Sequence, residues 1–255
     1  TMFILVPIFA PMIGQVVLWF GNWQMLFVTL GGFSAIILGW FSLRQPETLT
    51  HRRTITVSHL SEALRTVLTN EQSLRFTLAA GVSFGGLVSY LSSAQHIFQD
   101  IYQTGEWFPV LFGSTAASIA ISSLVNANYV RRFGMETICR IAFAVQILWS
   151  AFFLALYVNG NPISLIAWLV YIVPVLFLMG LTFAILLSVA LDPLGAIAGT
   201  ASTVIGSLMT AVSLSVGIVF SQFMGNSANP LILTFFITGS IALLLIRLKA
   251  TRASL

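Results

Sequence analysis

Charged residues are scarce in this sequence: Asp, Glu, Lys and Arg make up 7% of its 255 residues, whereas 58% are hydrophobic. Soluble domains carry about 25% charged residues, so the composition excludes an ordinary water-soluble fold. A chain that is apolar on all sides of its helices folds in a lipid bilayer, where hydrocarbon takes the place of water. The aromatic content of 13% agrees with this, because Trp and Tyr anchor membrane spans at the interface.

Cysteine is nearly absent as well. The one residue, Cys139, excludes a disulfide framework, and its simplest role is packing. The sequence contains no nucleophile–base pair, phosphate-binding loop or cluster of metal ligands, and we therefore expect no enzymatic activity, no cofactor and no metal ion. The net charge of +4 says little about nucleic acid, and no nucleic-acid partner is predicted.

Eight apolar runs are long enough to cross a membrane, since a spanning helix needs about 20 residues. Gly, Asn, Pro and Asp separate the runs, as expected for loops. The predicted fold class is therefore an all-α integral membrane protein with eight transmembrane helices. They lie at about 2–20, 23–43, 76–97, 107–129, 135–158, 163–190, 197–223 and 230–248.

The basic residues follow alternate loops. All eleven Lys and Arg lie in or beside 44–75, 130–134, 190–196 and the C-terminal tail, whereas the other loops carry Asp100 and Glu106 and no basic residue. Cytoplasmic loops of membrane proteins are enriched in Lys and Arg. We therefore predict that 44–75 and both ends of this chain face the cytoplasm.

The polar segment 44–75 divides the chain into two spans before it and six after it. Apolar residues within it recur at helical spacing and predict a short amphipathic helix on the cytoplasmic surface, with Ser58 and Asn70 at its ends. These apolar residues are Leu60, Leu64, Val67 and Leu68. A solvated loop with a frayed helix explains the same residues.

Thr1 leads directly into an apolar run. A signal peptide is not expected, because a basic leader is missing and Pro7 and Pro11 interrupt the run. We expect instead that further residues of a longer protein precede Thr1.

Pro7, Ala10, Pro11 and Gly14 form a Pro-x-x-Ala-Pro-x-x-Gly run in the first span. Each proline removes a backbone donor and bends the helix, and Gly14 permits close approach of another helix. The run resembles the antiporter motif in the fifth helix of drug/proton antiporters of the major facilitator superfamily, in particular the Bcr/CflA (bicyclomycin–chloramphenicol resistance) branch. That motif commonly ends in two glycines, and Gln15 stands in place of the second here.

Four other stretches resemble the same branch. They are Arg44-Gln-Pro46-Glu47-Thr48-Leu49, Gln95-His-Ile-Phe-Gln-Asp100, Val130-Arg-Arg-Phe-Gly134 and Gly195-Ala-Ile-Ala-Gly199-Thr-Ala-Ser202. The resemblance covers essentially the whole chain, as helices five to twelve of a twelve-helix protein. It implies a truncated major facilitator fold: 1–43 supplies the last two helices of an N-terminal six-helix bundle, 44–75 a cytoplasmic linker, 76–250 a complete C-terminal six-helix bundle and 251–255 a cytoplasmic tail.

The loop at 127–134 is similar to the second-half copy of a loop motif of the superfamily, which Arg132 and Gly134 match. The resemblance implies that Arg131, Arg132 and Gly134 position a cytoplasmic gate. A loop that is basic only because it faces the cytoplasm explains the two arginines equally well.

The resemblance also implies that 76–97 and 163–190 line the substrate cavity of the second bundle. The cavity candidates are Ser83, Tyr90, Ser93, Gln95, Tyr171, Phe177 and Phe183. Flat aromatic surfaces with few placed donors suit amphiphilic drugs better than sugars, whose hydroxyls demand many partners. Packing or lipid contact is the alternative role for these aromatic residues.

Small residues along 107–129 and 197–223 predict close helix packing, because membrane helices associate through small residues. The packing candidates are Gly113, Gly195, Gly199 and Gly206. The resemblance implies that 107–129 packs against 2–20 at the boundary between the bundles, and packing within one bundle is the alternative.

No carboxylate lies in the middle of a predicted span; Asp100, Glu106, Glu136 and Asp192 lie at span ends or in loops. A proton-coupled exchanger needs a group whose proton affinity changes with conformation, and the resemblance places it in helices one and four, upstream of this chain. We therefore expect part of a proton-driven multidrug exporter of the bacterial inner membrane, monomeric when full length, that moves small amphiphilic drugs by alternating access. The alternatives are an importer or uniporter of the same fold and an eight-span scaffold or channel subunit.

Overall fold

The computed structural model describes residues 13–46, 57–157, 162–223, 225 and 227–247. Within these ranges every regular element is a helix, and seven helices are long and apolar enough to cross a membrane. The remaining predicted span, 2–20, falls mostly outside the described residues, of which 13–20 are helical. The predicted all-α membrane fold is confirmed.

The described ranges contain nine α-helices. In chain order they are α1 (13–20), α2 (Gln24–Arg44), α3 (Val57–Thr69), α4 (Glu71–Gln95), α5 (Phe108–Phe133), α6 (Met135–Leu156), α7 (Leu165–Leu191), α8 (Ala198–Ser221) and α9 (Asn229–Arg247). A π-helical turn, His96–Ile101, extends α4, and short 3₁₀ helices at Gly105–Trp107 and Asp192–Ile197 precede α5 and α8.

Asn70 separates α3 from α4. It follows the last residue of α3, as predicted, and its side-chain oxygen also accepts a hydrogen bond from the backbone N–H of Ser73 at 2.9 Å. The first N–H groups of a helix have no partner within the helix, and such an acceptor satisfies one of them. As a result α4 begins at Glu71 rather than at residue 76, inside the segment predicted as linker.

We expect Asn70→Ala to lower the free energy of unfolding by about 1 kcal/mol, the usual loss when an N-cap is removed. Asn70→Asp keeps an acceptor at the same place and should retain the wild-type stability. Denaturant titration of the purified protein in detergent measures both variants, and equal losses would contradict the capping role.

The helices α4 to α9 form one bundle with an internal repeat. α4 packs against α8 and α9, and α7 packs in the same way against α5 and α6. The equivalent helices α4 and α7 also pack on each other, as do α6 and α9. Exchanging α4–α6 with α7–α9 thus preserves the main contacts, which is the mark of two three-helix repeats.

Two apolar cores fill this bundle. The core near the linker includes Phe76, Phe143 and Ile205, and the fully buried Cys139 packs within it. The core at the far end surrounds Trp168 and takes side chains from α4, α6, α7 and α9. Both cores contain residues of the two repeats, so the repeats form a single packing unit.

Glycines permit the close approach of α4 and α8. A Cβ added at Gly81 would lie 2.8 Å from Cβ of Val212, and one at Gly85 would lie 2.6 Å from Cβ of Val216. Gly217 of α8 faces α4 with equally little room. Backbone-to-backbone packing of this kind is common between membrane helices, and none of these glycines was among the predicted packing positions.

The helix α2 buries none of its residues. Large apolar side chains such as Phe27, Leu30 and Trp40 are exposed along it. It approaches α1, where a Cβ on Gly14 would lie 3.8 Å from Leu26. Within the ranges that the structure describes, no helix packs extensively on α2.

Candidate functional site

Most of the predicted cavity residues on α4 lie inside the bundle. Ser83, Tyr90 and Ser93 are buried, whereas Gln95, at the end of the helix, is exposed. The polar stripe predicted for α4 therefore points into the six-helix bundle.

Tyr90 joins α4 to α5. Its hydroxyl lies 2.7 Å from Oγ1 of Thr115, and its ring stacks on Phe112 at a centroid distance of 6.0 Å. Thr115 donates its own proton to the carbonyl oxygen of Phe112 at 2.7 Å, so Tyr90 is the donor to Thr115. With its hydroxyl satisfied inside the protein, Tyr90 acts as a packing residue in this conformation.

Tyr171 is the centre of an aromatic cluster at the far end of the bundle. Its side chain is fully buried, and its hydroxyl lies 3.0 Å from Oγ of Ser150. Its ring centroid lies 5.1 Å from that of Phe153, 5.8 Å from that of Trp168 and 6.4 Å from that of Phe235. The cluster joins α6, α7 and α9.

The other two aromatic candidates on α7 lie apart from Tyr171. Phe183 packs against Phe84 of α4 at a centroid distance of 5.1 Å, and Phe177 lines a groove between α5 and α6. A helix turns by roughly 100° per residue, so positions six apart in sequence fall on different faces. The structure therefore does not bring the three aromatic residues of α7 together on one surface.

Sequence reasoning missed a buried hydroxyl stripe on α5. Thr115, Ser118 and Ser122 are all buried. Each donates to the carbonyl oxygen three residues earlier in its own helix. Their spacing of three and four residues places them on one face of the helix. The sequence contains this pattern, but the apolar residues around it made it easy to overlook.

Gln146 was also missed, and it links α6 to α9. Its buried side chain donates from Nε2 to the carbonyl oxygen of Phe235 at 3.0 Å. Gly239 provides the space, because a Cβ there would lie 2.9 Å from Nε2 of Gln146. A buried amide bonded across two membrane helices stabilises their pairing.

His96 ties the far end of α4 to the loop between α8 and α9. Its Nδ1 lies 2.8 Å from Oδ2 of Asp100, and its Nε2 lies 3.2 Å from the carbonyl oxygen of Gly225. Both partners are acceptors, so the ring donates to both only as an imidazolium. The stretch 95–100 thus has a structural role as a connection across the bundle.

Tyr102 makes a second connection at the same end. Its hydroxyl donates to the carbonyl oxygen of Ile163 at 2.9 Å. Burial, together with the nearby Tyr157, raises the pKa of the Tyr102 phenol above its ordinary value. The donor proton is therefore retained at all ordinary pH values.

The predicted gate loop is a sharp turn between α5 and α6. Arg131 and Arg132 lie in the last turn of α5, and Gly134 has a φ of +79°, which glycine adopts without steric penalty. The guanidinium carbon of Arg132 lies 5.4 Å from the centroid of the Phe133 ring. The turn reverses the chain direction and leaves Arg132 exposed.

The predicted packing residues have different surroundings. Gly113 is buried in α5. In the described part of the chain, a Cβ on Gly195, Gly199 or Gly206 would meet nothing within 4 Å. Of the first-span motif, Gly14 lies in α1, whereas Pro7, Ala10 and Pro11 lie outside the described residues.

Charged side chains of the described bundle lie at helix ends. Arg75 lies 3.8 Å from Glu71, and Arg140 lies 3.0 Å from Glu136, each pair being one turn apart. No group of three metal-ligating side chains occurs among the described residues. Among the buried residues of the described bundle, the interior therefore offers aromatic surface, hydroxyls and the amide of Gln146.

Seven apolar spans within the described ranges and a bundle of two three-helix repeats define a multi-pass membrane protein of the transporter type. The profile of the Major Facilitator Superfamily matches residues 1–219, and the chain belongs to this superfamily. Its members are transporters rather than enzymes, and they move small molecules across lipid bilayers.

A relative supports the resemblance to the bicyclomycin branch. A bicyclomycin resistance protein homolog from Haemophilus influenzae is 26% identical over 239 residues, which cover 91% of this chain and 58% of the relative. The chain thus spans little more than half the length of that relative. The resemblance seen in the motifs is confirmed.

Proposed function

We propose that this chain is the later part of a multidrug exporter that exchanges drug for protons. The observation that carries the proposal is the similarity, along 91% of the chain, to a relative named for bicyclomycin resistance. Substrate would bind between two six-helix bundles, and rocking of one bundle against the other would expose it to either side in turn.

This proposal assigns a role to each segment of the chain. Residues 1–43 would complete an N-terminal bundle, 44–75 would be the cytoplasmic linker, which includes α3 and the first turn of α4, and 76–250 would be the C-terminal bundle. The proton site would lie outside this chain, because the buried polar residues of α4 to α9 include no carboxylate among those described. The full-length protein would be a monomer in the bacterial inner membrane.

The cavity candidates would divide into two groups. Tyr90 and Tyr171 would hold helices in place, since both are buried and hydrogen-bonded. Gln95 and Phe183 are more accessible and would be the candidates for direct contact with drug. Arg131, Arg132 and Gly134 would position the cytoplasmic gate.

Transport by the full-length protein in proteoliposomes tests the proposal. When a proton gradient is imposed, we expect bicyclomycin and a fluorescent amphiphilic dye to move in the direction opposite to the flow of protons. An uncoupler should abolish this movement. The isolated 255-residue chain should show no proton-driven movement. Transport that is indifferent to the uncoupler would indicate a uniporter and overturn the antiport proposal.

Pro11 provides a more specific test of the motif in the first span. We expect Pro11→Ala in the full-length protein to reduce drug efflux substantially while membrane insertion stays intact, because the substitution restores the backbone donor that proline removes. Efflux at equal expression is the measurement. Unchanged efflux would argue against a special role for the proline.

A further inference from the structure

An apolar groove with a volume of about 410 Å³ lies between α5 and α6, with α7 as its floor. All its lining residues are apolar, and they include Val125, Phe133, Ile138, Ile141, Ala142 and Phe177. The lining offers no hydrogen-bonding side chain, so a polar ligand would lose its hydration there without replacement.

The groove follows from the packing of the bundle. Both α5 and α6 pack on α7, but they contact each other much less. Ile138 and Ala142 are buried in the groove, whereas Ile141 is 56% exposed at its edge. Because α5, α6 and α7 are membrane spans, the open side of the groove meets the hydrocarbon of the bilayer.

A cation lies at one end of the groove. Phe133 lines the groove and ends α5, and the guanidinium carbon of Arg132 lies 5.4 Å from the centroid of its ring. Arg132 is exposed, and none of the ion pairs in the described chain includes it. Arginine binds phosphate oxygens through two parallel hydrogen bonds.

We propose that this groove binds an acyl chain of an anionic phospholipid in the leaflet on the linker side, with Arg132 binding its phosphate. The apolar groove and the adjacent cation match the two parts of such a lipid. A zwitterionic lipid offers the same acyl chain without net negative charge, and its contact with Arg132 is correspondingly weaker. Basic sites between membrane helices recognise anionic lipid head groups in this way.

Lipid retention by the full-length protein, measured by native mass spectrometry, tests the charge requirement. Phosphatidylglycerol and phosphatidylcholine with identical acyl chains are the probes. We expect the wild type to retain phosphatidylglycerol roughly five-fold more strongly, the ratio typical of one basic residue at a membrane surface. Arg132→Gln should abolish this preference.

Arg140→Gln is the matched charge control. Arg140 is paired with Glu136, and it lies roughly 160° around α6 from Ile138 and Ala142, the groove-lining residues that bracket it. The variant should keep the lipid preference of the wild type. Equal retention of both lipids by the wild type, or an unchanged preference in Arg132→Gln, would overturn the proposal.

Blocking the groove tests the acyl-chain site. Ile141→Trp places a large ring at the exposed edge of the groove and should reduce retention of both lipids several-fold. Ile166→Trp on α7, at a position that is 76% exposed and outside the groove, should not. Glycerol phosphate, which has the head-group phosphate without acyl chains, should not be retained. Unaltered lipid retention in Ile141→Trp, or displacement of the lipid by transported drug, would refute the site.

Discussion

Gly85→Ala should destabilise the bundle by about 2–3 kcal/mol, in the upper part of the range for overpacked cores. The added Cβ would lie 2.6 Å from both Cβ and Cγ1 of Val216 and 3.2 Å from the carbonyl oxygen of Ser213. These atoms are close to or part of the backbone of α8, so they can move away only if the helices separate. Denaturant titration in detergent gives the free energy of unfolding.

Gly206→Ala on α8 is the matched control for this substitution. A Cβ there meets nothing within 4 Å among the described residues, and alanine is favoured over glycine in a helix by up to about 1 kcal/mol. We therefore expect this variant to equal or exceed the wild type in stability. The same chemical change should thus have opposite effects at positions 85 and 206.

A second-site change tests the cause of the loss at position 85. Val216→Gly removes both atoms that lie 2.6 Å from the added Cβ, and combining it with Gly85→Ala should recover part of the lost stability. A non-additive result of this kind reports direct contact between the two sites. Strictly additive losses would show that Gly85→Ala does not destabilise the bundle through contact with Val216.

Tyr171→Ala should lower the free energy of unfolding by about 3–5 kcal/mol, as expected when a buried aromatic side chain is removed. The substitution leaves a cavity among Phe153, Trp168 and Phe235 and removes the hydroxyl partner of Ser150. The contacts between α6, α7 and α9 weaken together as a result. Thermal unfolding and the recovery of monodisperse protein both report this loss.

Phe177→Ala is the matched aromatic control on the same helix. Phe177 is only partly buried and faces the groove between α5 and α6, where lipid can fill the vacated space. We expect a loss of less than about 1.5 kcal/mol, as for a tolerated core change. Similar losses for both variants would show that Tyr171 is not the centre of the cluster.

Much of the fold was predictable from hydropathy and charge. The apolar runs located the spans because a bilayer imposes a minimum length on each of them. Local signals also placed Asn70 at a helix boundary, although the capping bond to Ser73 shows that it serves the following helix as well. The superfamily was recognisable from motifs because each motif consists of residues that are close together in the sequence.

The site was less predictable than the fold. Tyr90 and Tyr171 were selected for their polar aromatic character, and the structure buries both among other side chains. Gln146, Ser118 and Ser122 were overlooked because isolated polar residues in apolar runs give no signal of their partners. Which groups satisfy them depends on neighbouring helices that are distant in sequence.

The sequence by itself determined that the chain lies in a membrane, roughly where its described spans lie, and which superfamily it resembles. These properties depend on composition, on local spacing and on short motifs. Only the tertiary structure decided which glycines permit close packing: Gly81 and Gly85 face valines of α8, whereas Gly199 and Gly206 face open space in the described chain. The physical reason is that a glycine's role depends on the atoms opposite it. The sequence does not identify those atoms, because membrane helices have apolar residues both where they face another helix and where they face the bilayer.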